Sequence, residues 1–123
     1  MHRSRLAGFI IDCRTDDLDE AARFWSGALG MGPLEREPTY QPLDSSARDL
    51  VIEVQRVTHP SRLHLDIETD DVEAEVERLE RLGATRVRKT RTFWVMQSPT
   101  GQRFCVVRAR HPLAGRAGTN EWL

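Results

Sequence analysis

Apolar and polar residues alternate between Arg62 and Asp71. Leu63, Leu65 and Ile67 interleave with His64, Asp66 and Glu68, the period-two signature of a strand with two unlike faces. The alternation predicts the leucine–isoleucine face on the core. It turns the imidazole and two carboxylates to solvent or a polar pocket, because burying them unpaired is costly. Thr69, Asp70 and Asp71 supply N-cap candidates for a helix over 71–82, whose inner stripe is Val72, Val76, Leu79 and Leu82 and which Gly83 ends. Earlier, Gly8–Cys13 reads as a strand with Phe9, Ile11 and Cys13 on one face. Asp16 or Asp17 then caps a helix carrying Leu18, Ala21, Ala22, Trp25, Ala28 and Leu29, stopped by Gly30.

Residues 34–49 are broken by Pro38 and Pro42 into short, edge-like strands and loops. Leu50–Val57 is a strand rich in β-branched residues. Residues 85–89, 92–96 and 103–108 supply three more, the last two joined by the Ser98–Gly101 turn. From Pro112 the pattern predicts a loose tail, with Trp122 as a residue that can dock on a partner subunit.

A repeat underlies this order. Asp17 and Asp71 stand 54 residues apart, and each opens a helix that closes on Leu-Gly, at Leu29-Gly30 and Leu82-Gly83. Two copies of one supersecondary unit predict a pseudo-symmetric α+β domain, its helices backing one sheet face and its other face forming a concave site.

Composition narrows the function. With 123 residues, 39% apolar and 30% charged, the chain is expected to be a single soluble domain. A net charge of −1 gives no electrostatic case for nucleic acid or an anionic membrane. No apolar run reaches the roughly 20 residues of a membrane helix, and Met1–Arg5 leads into no signal-peptide core. Cys13 and Cys105 are too far apart for a CxxC motif and read as reduced core thiols, so a cytoplasmic location is expected.

Several motifs keep their order through the chain: Asp12-Cys13, Phe24-Trp25 with Leu29-Gly30, Leu50–Val57, Leu63-His64-Leu65-Asp66, and Ser98-Pro99-Thr100-Gly101 running into Gln102–Val107. Together they span residues 6 to 108 and make the chain resemble the small bacterial glyoxalase-like domains. These belong to the vicinal oxygen chelate group, with glyoxalases, bleomycin-resistance proteins and extradiol dioxygenases. The resemblance implies two βαβββ modules, about 6–58 and 62–108, with a tail over 110–123. Their strands curve as a mixed sheet around a cavity for a small organic molecule, in a homodimer. It also implies a divalent-metal site of four ligands, His or Gln, Glu, His and Glu. In this chain the matching positions are Ile10, Glu53, His64 and Cys105, so the full metal site is not expected.

The candidate site is therefore Ile10, Asp12, Glu53, Gln55, His64, Asp66, Trp94 and Cys105, with His64 and Glu53 as the candidate catalytic pair. Asp12 shares a face with Ile10, which leaves open a rearranged metal site of Asp12, Glu53 and His64. Trp94 or Phe93 faces the cavity. The lead expectation is a small-molecule-binding protein with a degenerate metal site and no cofactor. The alternatives are a metal-dependent lyase, isomerase or dioxygenase, a metal-free acid–base enzyme using His64, and an antibiotic-sequestering protein.

Overall fold

The computed structural model describes residues 1–123. It contains eight strands and two helices. The strands are β1 (His2–Arg14), β2 (Tyr40–Leu43), β3 (Val51–Val57), β4 (Arg62–Thr69), β5 (Thr85–Lys89), β6 (Trp94–Gln97), β7 (Arg103–Arg108) and β8 (Asn120–Trp122). The helices are α1 (Leu18–Leu29) and α2 (Val72–Arg81). Hydrogen bonding runs β2-β3-β1-β4-β7-β6-β5, with β8 added to β1. The sheet is mixed: β1/β3 and β4/β7 are parallel, the other registered pairs antiparallel. This is the predicted α+β arrangement, with strand–helix–strands stated twice.

The chain divides into two compact units, Gly8–His64 and Met1–Ala7 with Leu65–Leu123. In the first, α1 lays Leu18 and Ala22 over Ile11, Leu43 and Val54, and Trp25 packs against that cluster. Gly8 faces Val51 so closely that an added Cβ would run into the Val51 backbone. The second unit has its own core of Val76, Leu79, Met96 and Val106. Both helices start as the repeat predicts: the Asp17 side chain accepts from the Glu20 amide, and Asp71 from the Ala74 amide. Gly30 takes the left-handed conformation that closes α1.

Three expectations are corrected. First, β1 begins at His2 rather than Gly8. Its opening residues carry no apolar alternation and are held by distant polar partners instead. Second, the apolar face of β4 is not uniformly buried. Ile67 packs on the second unit's core, but Leu65 is 42% and Leu63 63% exposed. Helical cover of that face ends at Ile67, while the polar side chains opposite are the better buried. Third, the tail is not loose. Asn120–Trp122 pairs with Ser4–His2, and the Trp122 indole donates to Ser4 Oγ at 2.9 Å.

Below that docking lies Glu75, a fully buried carboxylate on α2. It meets His2 Nε2 at 2.8 Å and accepts from Arg78 Nε and Nη2 at 2.8 and 2.7 Å. Arg78 in turn lies 3.9 Å from the centre of a Trp122 ring. Burial works to raise the Glu75 pKa, but hydrogen bonds from Arg78, His2 and Ser4 outweigh it and hold the carboxyl below its ordinary range. A carboxylate whose folded pKa is depressed contributes stability above its unfolded pKa and loses that contribution as pH falls through the folded value.

Two measurements follow from this network and from the caps. Glu75→Gln should cost about 2–3 kcal/mol in chemical denaturation at neutral pH, because Arg78 and His2 lose their charged acceptor. The variant's deficit should shrink as the solution is acidified below the carboxylate range. Asp17→Ala and Asp71→Ala should each cost about 1 kcal/mol, the usual worth of an N-cap.

Candidate functional site

The residues singled out above fall in both units. In Gly8–His64, parallel pairing sets Ile10 opposite Glu53 and Asp12 opposite Gln55. Ile11 and Val54 point the other way, into the α1 core. Alternation thus places Ile10, Asp12, Glu53 and Gln55 on one face, as the sequence predicts. Antiparallel β2 adds Tyr40 opposite Gln55, a half-buried phenol that the proline-broken pattern of 34–49 conceals.

Asp12 is the centre of this face. It is 2% exposed, and its Oδ2 lies 2.8 Å from His64 Nδ1. An ionised carboxylate only accepts, so His64 Nδ1 is the donor in this hydrogen bond. Two further basic groups turn toward the same oxygen, Arg62 Nε at 3.7 Å and His59 Nε2 at 3.8 Å. Neither is marked by the alternation of the sequence, since His59 lies in the joint before β4 and Arg62 at its first position. The joint is held in place by Ser61 Oγ, which accepts from the Arg14 amide at 2.9 Å, and by His59 Nδ1, which donates to the Pro60 carbonyl at 2.8 Å. Asp12 Oδ1 is buried and has no hydrogen-bond partner within the protein.

In the other unit, Asp66 is the register partner of Cys105, and both are half-buried. Trp94 does not join them. It pairs with Val106 and packs against the Met96 and Val106 core, while Cys105 is opposite Val95. Trp94 shares its face with Met96, and Arg86 lies 4.9 Å over its ring, so it serves α2 packing rather than a ligand surface. Phe93 precedes the strand. Cys13 and Cys105 are free thiols, as expected, and burial first of all raises the Cys13 pKa. A cleft of about 320 Å³ in this unit is lined by Arg3, Asp70, Arg108, His111 and Leu113, none of them predicted site residues. Its Arg3 is already engaged by Asp70 and Glu121.

The donors fit the implied four-ligand metal set poorly. Ile10, directly opposite Glu53, has no lone pair to offer. Cys105 supplies a soft thiol where a hard carboxylate is implied. The rearranged trio of Asp12, Glu53 and His64 has the right atoms, but Asp12 is already faced by a guanidinium, whose positive charge opposes a divalent cation there.

Comparison with known proteins agrees with the fold. The glyoxalase-like domain family matches residues 8–107. No curated protein sequence matches the chain. Among solved structures, a protein of Legionella pneumophila described as an NAD-dependent benzaldehyde dehydrogenase is 10% identical, with TM-score 0.63, covering 83% of this chain and 99% of its own. The Mn(II)-bound glyoxalase of Novosphingobium aromaticivorans is 18% identical, with TM-score 0.61, over 91% of this chain and 44% of its own. A variant of Streptomyces coelicolor methylmalonyl-CoA epimerase is 15% identical, with TM-score 0.59, over 87% of this chain and 98% of its own. Likeness at such identities speaks for the fold alone. With the family match covering most of its length, the chain belongs to the glyoxalase-like domain family.

Proposed function

We propose that this protein binds a small organic molecule without a structural or catalytic metal, and that His64, oriented by Asp12, moves a proton on that molecule. The observation that carries the reading is the 2.8 Å hydrogen bond from His64 Nδ1 to a carboxylate only 2% exposed. A buried carboxylate that fixes the tautomer of an imidazole presents the Nε2 lone pair as a base and steadies the imidazolium that forms when it takes a proton. His64 itself is only 13% exposed, so this partner rather than solvent holds the ring in place.

The roles of the other residues follow from their places. Glu53 and Gln55 line the same face and bind the ligand's polar atoms, Ile10 gives it an apolar contact, and Tyr40 adds a phenol at the edge. A proton taken from carbon next to a carbonyl is the reaction class this set suits, since the base is positioned and hydrogen-bond donors stand nearby for the developing oxyanion. That class also matches the glyoxalase and epimerase named among the structural neighbours. Asp66 and Cys105 stand apart from this set, as a carboxylate and thiol paired across β4 and β7 in the other unit. A dimer and an intracellular site of action accompany the proposal as features of the family.

The test is solvent exchange. Chelator-treated protein is incubated in heavy water with a panel of small α-hydroxy- and α-keto-carbonyl compounds, and loss of carbon-bound hydrogen is followed by proton NMR. Exchange should survive chelation and fall about 10²–10⁴-fold in His64→Gln. Asp12→Asn should lower it as well, because an amide can donate to Nδ1 and so favours the other tautomer. Exchange that vanishes on chelation and returns with manganese or nickel would replace this reading with the rearranged metal site.

A further inference from the structure

We infer that the ligand carries a small oxyanion, a carboxylate or a phosphate, held by the Arg62 guanidinium beside the Asp12–His64 pair. The inference rests on the proposed ligand site and names the chemical class it accepts. Three basic side chains converge on one oxygen of one carboxylate: His64 at 2.8 Å, Arg62 at 3.7 Å and His59 at 3.8 Å. Of the three only Arg62 is a permanent cation, and one contact to one oxygen leaves most of its donors unengaged. His64 takes the only true hydrogen bond, and at 3.7 Å Arg62 Nε is too far for one.

Arg62 is therefore anchored electrostatically by its inner nitrogen, with its side chain 44% exposed. Its two terminal amino groups form the planar fork that matches a carboxylate or phosphate edge. His59 stands beside it, 37% exposed, its ring orientation set by the Pro60 carbonyl. Arg14, exposed at the end of the strand that holds Asp12, adds a second permanent cation on the same side by alternation.

The ligand's second feature follows from Asp12 Oδ1. This atom is buried and unpartnered within the protein, and a buried acceptor calls for a donor. A hydroxyl next to the oxyanion supplies one. The recognised unit is then an oxyanion with a neighbouring hydroxyl: the oxyanion on the Arg62 fork, the hydroxyl on Asp12, and the carbon between them toward His64. Asp12 keeps the cations from attracting a bare anion indiscriminately and selects a ligand that brings its own proton.

The experiment is an NMR titration of the whole protein at low ionic strength, reading the backbone amides of Asp12, Gln55 and residues 59–64. The probes are glycolate, its neutral amide glycolamide, and inorganic phosphate. Glycolate or phosphate should shift these amides saturably, with glycolamide at least about tenfold weaker, and the stronger oxyanion identifies the source. Arg62→Met should cost about tenfold or more in oxyanion affinity, roughly 1.4 kcal/mol, and leave glycolamide unchanged. Arg62→Lys should recover part of the loss, because it restores the charge without the fork. Equal binding of glycolate and glycolamide, no saturable binding of either oxyanion, or an unchanged Arg62→Met overturns the inference. Oxyanion binding that depends on Arg62, together with solvent exchange indifferent to His64→Gln, keeps the inference and removes only the proton-transfer reading.

Discussion

The structure depends on keeping polar groups paired along a strand that is buried for much of its length. β1 carries His2, Ser4, Arg5 and Asp12, each less than a tenth exposed. Left alone in a sheet interior, each would cost several kilocalories per mole, enough together to unfold a domain of this size. Each instead meets a specific partner. His2 meets Glu75, Ser4 meets Trp122, Arg5 meets Glu68 at 3.0 Å, and Asp12 meets His64. Glu68 is shared with Arg116, also at 3.0 Å, which ties the tail segment to the same strand system. Apolar cores set where α1 and α2 lie, while polar pairing sets where β4, α2 and the chain's end meet β1.

These pairings differ in how closely their charges balance. In the Met1–Ala7 and Leu65–Leu123 unit, Glu75 has both oxygens occupied, and its cation Arg78 is covered by an indole. Such a closed network gives order and rigidity, and nothing in it is available for chemistry. Asp12 is the opposite case. One oxygen is crowded by three basic groups, the other has no partner in the protein, and two of the basic groups reach solvent. A buried carboxylate with one crowded oxygen and one oxygen short of a donor is unbalanced for stability and suited to a ligand. This difference in pairing, more than the fold, is what separates the site from the scaffold.

Much of the fold was legible because it rests on local signals. The two aspartate caps, the 3.6-residue stripes of both helices, Gly30 and the β-branched run of Val51–Val57 are written within a few residues of where they act. The face shared by Ile10, Asp12, Glu53 and Gln55 was legible too, since period-two alternation survives when β1 and β3 run parallel. What was hidden depends on distance in sequence. The first turn of β1 is polar because its partners come from residues 68–75 and from the tail, as in Ser4 with Trp122. Trp94 misled because alternation shows which residues share a face but not which face the helix covers; its neighbour Met96 decides that. His59 and Arg62 were hidden because they sit at the joint before β4 and at its first residue, where no periodic pattern marks a face.

An apolar side chain at an implied ligand position and a guanidinium facing Asp12 act in the same electrostatic direction. A divalent ion needs several negative or neutral donors converging on a point, and any cation among them opposes binding. Ile10 removes a donor at one corner, so Glu53 and His64 no longer converge with a full set. Without a metal to neutralise it, a buried Asp12 would be an uncompensated charge, and His64, Arg62 and His59 take over that compensation. Arg62 remains a permanent cation with a partly exposed side chain. On the proposed reading, the backbone register that would present oxygen donors to a cation instead sets a guanidinium toward an oxyanion, with His64 beside it.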